Sequence, residues 1–483
     1  MNEYQIDYKI GNITDNSSIQ SWLGNQKNNI KSIEDYTFDG TAKIIGLKKD
    51  GYMFHFNSDG TEVEMYNIIY ELAGGTNEEN AVTSYSKGDT VQLPVPTKEG
   101  AQFLGWSRNN NDTENTISNI KSDMEGDITL YACWINELPE DYFTYNTNGD
   151  EITGFSSKGL GVYDNAQEMD LILPSKHKVN NIDVTITSVS GFSSKTKIKR
   201  LIIPNTITSI VDDTFAECTG IKYLKIPISI NCSNSGFINV NNIEEVYFCK
   251  GNGAVVNYTQ YNISSTPWNR SKNKLTKITL EKGITSIGNY MFSGCSNIIN
   301  TWEELINIKE ELNNIGEKGF SECSNIKGEL IIPNKITSIQ SSSFYKCEKI
   351  EKLIILDNIT TISNDAFAEC TGIKYLKIPI SINCSNSGFI NVTNVEEVYF
   401  CKGNGVGVNY NQYNISSTPW NRSKAKLTKI SLEKGITSIG NYTFNECNNI
   451  STIKFTGTET EWNAIAKGSY NTILSTVAVE CEN

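Results

Sequence analysis

Histidine occurs only twice in the 483-residue chain, at His55 and His177. A Ser–His–Asp or Cys–His nucleophile site could draw on only these two, and neither lies in a nucleophile motif. Positive charge is also short: 42 Lys and Arg face 55 Asp and Glu, giving a formal net charge of −13 and a pI near 4.9. That balance repels nucleic-acid phosphates and anionic lipid heads, so no nucleic-acid partner is expected, while protein and glycan partners stay open. No apolar run reaches the roughly 18 residues a spanning helix needs, so membrane insertion is not expected. The opening MNEYQIDYKIGNITDN lacks a basic segment leading into an apolar one, and the closing VAVECEN carries no anchor. Gly251 and Gly253, like Gly403 and Gly405, do not form a phosphate loop, because no lysine follows at the required spacing. No cofactor is implied.

Repetition is what the chain has instead. DDTFAECTGIKYLKIPISINCSNSGFINV, starting at Asp212, returns as NDAFAECTGIKYLKIPISINCSNSGFINV at Asn364. The match continues through ISSTPWNRSK and LEKGITSIGNY at a constant offset of 152 residues. Inside this block lies a unit of about 23 residues, F-x-x-C-x-x-I-x-x-L-x-I-P followed by I-T-S-I. Its phenylalanines are Phe215, Phe292, Phe320, Phe344, Phe367 and Phe444, with an imperfect first copy at Phe192. In Leu224-x-Ile226, Leu353-x-Ile355 and Leu376-x-Ile378, apolar residues alternate with polar or exposed ones, as in a strand with one buried face. Proline follows at Pro204, Pro227, Pro333 and Pro379, where it closes the strand without removing a donor from its middle. One such coil cannot bury its own apolar side, so the coils must stack into a solenoid with one continuous core. About ten coils at roughly 4.8 Å each give a sheet on the order of 50 Å long.

Cys218, Cys295, Cys323, Cys347, Cys370 and Cys447 each stand three residues after a phenylalanine. A cysteine at a fixed point of a repeat reads first as a small buried packing residue. Local disulfides are the second reading. Metal is the third, and needs clustered ligands that the sequence does not offer.

The outward strand position forms a ladder of Ile202, Lys225, Tyr247, Thr279, Ile331, Ile354, Lys377, Tyr399, Ser431 and Lys454. Aromatic and aliphatic groups on an exposed sheet make an adhesive face, and strand propensity alone is the equal alternative. Tyr247 and Tyr399, at equivalent points of the duplicated block, are the leading ligand contacts, with Lys225 and Lys377 beside them. Trp268 and Trp420, each after a proline in the duplicated insert, admit two readings: an aromatic platform for a ligand, or an anchor tucking the loop onto the solenoid. The anchor is favoured. TWEELINIKEEL, which stretches Phe292 to Phe320 to 28 residues, suggests a short helix on the outer edge. The final ISTIKFTGTETEWNAIAKGSYNTI reads as a last strand and a cap. Sequons at Asn231, Asn257, Asn262, Asn383 and Asn414 could accept sugars in a eukaryotic secretory pathway, yet such triplets also arise by chance in an asparagine-rich chain.

Ahead of the repeats, residues 66–134 hold short alternating strands separated by Gly-, Asn- and Pro-bearing turns. Phe103, Leu104, Trp106, Leu130, Tyr131 and Trp134 would form their aromatic core. The organisation expected is an unassigned segment 1–63, a β-domain 64–135, a β-rich lead-in 136–190, the solenoid 191–457 and a cap 458–483. KSIEDYTFDG, near residue 31, echoes the repeat frame without continuing it.

The frame F-x-x-C-x-x-I-x-x-L-x-I-P with ITSIGNYMF or ITSIGNYTF resembles BspA-type leucine-rich repeats over about residues 160–460. YELAGG, LPVPTKEG, FLGWS and GDITLYACW resemble the Listeria–Bacteroides repeat, which implies a small β-grasp-like fold. Together these imply a mainly β protein, a leucine-rich-repeat solenoid behind a small β-domain. They also imply a non-enzymatic monomer outside the cell or on its surface, attaching to host matrix, other cells or glycans. A structural spacer is the alternative, and a carboxylate-dependent glycan hydrolase a remote one.

Overall fold

The computed structural model describes residues 65–482 apart from 111, 114–115, 306–310 and 412–417, together with strands Asp35–Phe38, Ile44–Lys49 and Tyr52–Phe54. The chain divides into two compact units, Met1–Asn136 and Glu137–Asn483.

In the first unit the three early strands pair antiparallel, so the segment echoing the repeat frame enters a meander and not a coil. Beyond them, Met65–Glu71, Ser84–Ser86, Ala101–Ser107 and Ile128–Asn136 form a four-stranded sheet whose central pair, Met65–Glu71 with Ile128–Asn136, is parallel. Trp106 and Leu130 are fully buried at its centre, with Phe103 and Trp134 packed against them. Leu104 and Tyr131 do not join that core. Tyr131 follows Leu130 on the strand and so faces the other way, and Leu104 sits where the register slips between Phe103 and Gly105.

In the second unit each repeat makes one coil. The L-x-I segments stack into a parallel sheet of Met169–Ile172, Ile198–Ile202, Tyr223–Pro227, Glu245–Cys249 and Lys277–Leu280. A second sheet of seven strands runs from Lys327–Ile331 to Val479–Cys481. The ITSI segments form narrow parallel ladders of their own, such as Ser338–Ile339, Thr361–Ile362 and Asn383–Cys384. Parallel pairing therefore begins before residue 191 and continues past 457. Backbone groups at either end can extend the ladder without repeating the side-chain frame.

The phenylalanines meet across coils at ring-centroid distances of 5.6 Å for Phe192–Phe215, 5.5 Å for Phe344–Phe367 and 5.0 Å for Phe367–Phe389. Each such contact adds about 0.5–1.5 kcal/mol beyond area burial. The cysteine three residues on donates its thiol to a carbonyl of the preceding coil: Cys218 to Phe192 O at 3.1 Å, Cys347 to Phe320 O at 3.2 Å and Cys370 to Phe344 O at 3.0 Å. All twelve cysteines are free thiols.

Between the two sheets the strand position is taken by a helical turn, Trp302–Leu305. Trp302 and Leu305 are buried, and the Trp302 indole N–H donates to Ile331 O at 2.8 Å. The expected outer-edge helix is thus a substitute for a strand, because two large apolar residues three apart lie on one side of a helical turn and face the core. At the C-terminus the helix Glu459–Ala464 opens with a reciprocal capping box between Thr458 and Glu461, and Trp462 covers Phe455.

Candidate functional site

Alternation along each face strand sends every second side chain outward, and parallel in-register pairing lines these up across coils. One row runs Ile202, Lys225, Tyr247 and Thr279, and its counterpart runs Ile331, Ile354, Lys377, Tyr399, Ser431 and Lys454. Lys225 Nζ lies 5.1 Å from the centre of the Tyr247 ring, and Lys377 Nζ lies 5.0 Å from that of Tyr399. All four are half-buried. Both members of each candidate pair therefore come together, and the duplication builds the same pair twice.

The ladder is not outward-exposed throughout. Ile202 is 2% exposed and Ser431 6%, so neither belongs to an accessible face. Parity along a strand fixes which side of the sheet a residue takes, not what lies over it.

A second row, two residues earlier, passes through Arg200, Tyr223, Glu245 and Lys277, and again through Lys352, Tyr375, Glu397 and Lys429. Lys277 bridges Glu245 at 2.7 Å and Lys429 bridges Glu397 at 2.7 Å. Tyr223 and Tyr375 were legible from the same period-two rule yet were not singled out. Burial first, then neighbouring carboxylates, raises the phenols of Tyr247 (Glu281) and Tyr399 (Glu433), so both are neutral hydroxyls at ordinary pH.

Trp268 and Trp420 are corrected as contact residues: they are 0% and 1% exposed. Trp268 Nε1 donates to Met291 O at 2.8 Å, and its ring meets Phe248 edge-on at 5.0 Å. Trp420 Nε1 donates to Thr443 O at 2.6 Å. Each stands 24 residues before the next repeat phenylalanine, Phe292 or Phe444, which is the repeat's own spacing. Three residues on, Ser271 Oγ donates to Val240 O at 3.3 Å, as the cysteine does elsewhere. W-x-x-S is thus this coil's version of F-x-x-C, a signal present in the sequence.

Lys377 of the second pair lines a cavity of about 330 Å³, together with Asn334, Leu356, Asp357, Asn358, Cys401 and Glu433. Asp357 Oδ1 accepts from Gly403 N at 3.0 Å and Glu433 Oε2 from Lys402 N at 2.7 Å. His177 lies elsewhere, stacked on Tyr145 at 3.7 Å with Nδ1 3.2 Å from Glu140 Oε2, and His55 falls outside the described residues. Among the described residues no three His, Cys, Asp or Glu side chains are grouped to hold a metal. None of their helices is long and apolar enough to cross a membrane.

The BspA-type leucine-rich repeat region model matches residues 177–267, 300–418 and 414–475 in six copies, more than half the chain. The chain belongs to the BspA-type leucine-rich repeat family. The Listeria–Bacteroides repeat domain model matches residues 66–133. Chains built of these repeats act by contact and not by catalysis, and this one is an extracellular or cell-surface protein with a general role in surface contact. Solved structures similar to it include a leucine-rich cell surface protein of Faecalibacterium prausnitzii, at 15% identity and TM-score 0.25, over 68% of this chain and 97% of that one. A leucine-rich repeat protein of Bacteroides ovatus matches at 16% identity and TM-score 0.25, over 72% and 100% of the two chains. The pneumococcal vaccine antigen PcpA matches at 12% identity and TM-score 0.28, over 71% and 99%. Family membership rests on the repeat sequence and not on these superpositions. No curated protein matches the chain.

Proposed function

We propose that this chain holds host matrix, neighbouring cells or glycans against the outward face of its repeat sheet. The observation that carries the reading is the duplicated lysine–tyrosine pair, Lys225 with Tyr247 and Lys377 with Tyr399, set in register on one face. A cation held over a ring offers an ammonium and an aromatic surface together, a combination suited to recognising mixed polar and apolar partners. The working unit in this reading is a single chain. The small domain is read as β-grasp-like: its strand order, second–first–fourth–third with a parallel central pair, supports that.

A spacer is the second reading, favoured by outward ion pairs that satisfy one another, Glu245 with Lys277 and Glu397 with Lys429. Two measurements separate the readings. Protease treatment of intact source cells, with lysed cells as control, should remove the solenoid; protection until lysis would sink the surface role. Purified chain should be retained on matrix-coated surfaces or cells, and the double variant Tyr247→Ala, Tyr399→Ala should lose most of that retention. Equal retention of the variant would shift the reading to a spacer.

A further inference from the structure

The 152-residue duplication supplies an internal comparison. It equates Lys377 with Lys225, Cys401 with Cys249 and Glu433 with Glu281, and these residues are identical in the two copies. Glu281 Oε2 accepts from Lys250 N at 2.8 Å, as Glu433 does from Lys402 N. The position of Asp357 is different: the first copy has Asn205 there, between Pro204 and Thr206 where the second has Leu356 and Asn358. The coil folds with either residue, so the second carboxylate is not demanded by the solenoid.

We propose that the cavity at Asp357, Lys377 and Glu433 is a saccharide subsite taking one neutral hexose unit of a glycan. This deepens the function proposed above and rests on it. The argument is one of complementarity. Asp357 accepts from Gly403 N and from the Cys401 thiol, and Glu433 accepts from Lys402 N, which leaves lone pairs on both carboxylates to accept from a ligand. Lys377, poised over Tyr399, brings an ammonium donor to the same cavity. A ligand cation would face Lys377, and a ligand anion would face two carboxylates. A sugar ring carries hydroxyls that both donate and accept, and so satisfies both kinds of group without adding charge. Leu356 offers an apolar wall for the ring's C–H face. The volume, about 330 Å³, stands at the small end of the ~300–1,000 Å³ range of ligand pockets, right for one ring and not for a peptide.

The test titrates the full chain with the methyl glycosides of glucose, galactose, mannose and N-acetylglucosamine, followed by saturation-transfer NMR and calorimetry. N-acetylneuraminic acid and Nα-acetyl-lysine amide serve as anionic and cationic arms. At least one neutral glycoside should bind saturably. Asp357→Asn, which copies Asn205, should weaken it at least tenfold with unchanged thermal unfolding, and Glu433→Gln should weaken it similarly. Silence from all four glycosides, binding indifferent to Asp357→Asn, or preference for either charged probe would overturn the proposal. The same proteins are scored for retention on cells and matrix. Retention without hexose binding overturns the subsite alone, whereas no retention on any surface overturns the broader function.

Discussion

Replacing Trp268 by alanine is the sharpest test of how the insert is held. The indole is 0% exposed, lies edge-on to Phe248 at 5.0 Å and Tyr258 at 5.8 Å, and donates to Met291 O at 2.8 Å. Truncating a buried tryptophan costs about 3–5 kcal/mol through lost transfer energy and the cavity left behind. The stranded Met291 carbonyl pushes the cost toward the upper end of that range. In a stack where each coil contacts only its neighbours, the loss should be local, centred on the coils of Phe248 and Phe292. Native-state hydrogen exchange reads this directly: with tenfold per about 1.4 kcal/mol, protection of the Phe248 and Phe292 amides should fall by about two to four powers of ten. Amides of the distant Thr452–Phe455 strand should be unaffected. Unchanged protection around Phe248, combined with lost retention on cells, would refute the anchor and restore the tryptophan as a contact platform.

Denatured without reductant, the chain should titrate twelve thiols, and a lower count would reveal disulfides contrary to the free cysteines seen here. Burial raises Cys295, Cys370 and Cys447 from an ordinary 9.0 to about 12, so the native state keeps protons that the unfolded chain releases. Stability should therefore be complete below pH 9 and decline as pH rises toward 12, and the decline should be shallower when these three cysteines are replaced by alanine, the other buried thiols supplying the remainder. Thr458→Ala breaks the capping box and should cost about 1 kcal/mol, read as faster exchange in Glu459–Ala464, with no effect on Phe344 or Phe367. Lys377→Met removes a cation–π contact worth about 0.5–1 kcal/mol at an exposed site, so its stability change in urea should be small while retention on surfaces falls.

The sheet was legible because two constraints agree at every coil: L-x-I alternation sets the buried face, and the constant spacing sets the neighbour. That is why Lys225 falls beside Tyr247 and Lys377 beside Tyr399. Where a coil keeps the geometry but changes the letters, reading by letters failed. Trp268 with Ser271 does the work of phenylalanine with cysteine, and Trp302 with Leu305 fills a strand's place from a helical turn. The cavity was illegible for another reason. Asp357 and Glu433 are 76 residues apart and meet only through the stacking of successive coils. The turn sides held a further surprise in Glu217 and Glu369, at φ of 60° and 63°, a region that favours glycine. Bonds from Glu217 N to Ile238 O at 2.9 Å and from Glu369 N to Ile390 O at 2.8 Å, each to the next coil, hold them there.

From Phe215 to Phe367 the corner residue returns at Phe237, Trp268, Phe292, Phe320 and Phe344, so the 152-residue duplication comprises six whole coils. Because it is integral, each junction joins partners of the kind it would have met anyway, and the chain grew without inventing a new interface. Its reach is quantised: one further duplication would add about 29 Å of solenoid, six steps of roughly 4.8 Å, and another lysine–tyrosine pair at that pitch. A ligand with repeating epitopes would meet such a protein as a ruler, and gain or loss of a block would change how many marks it engages while leaving each mark the same.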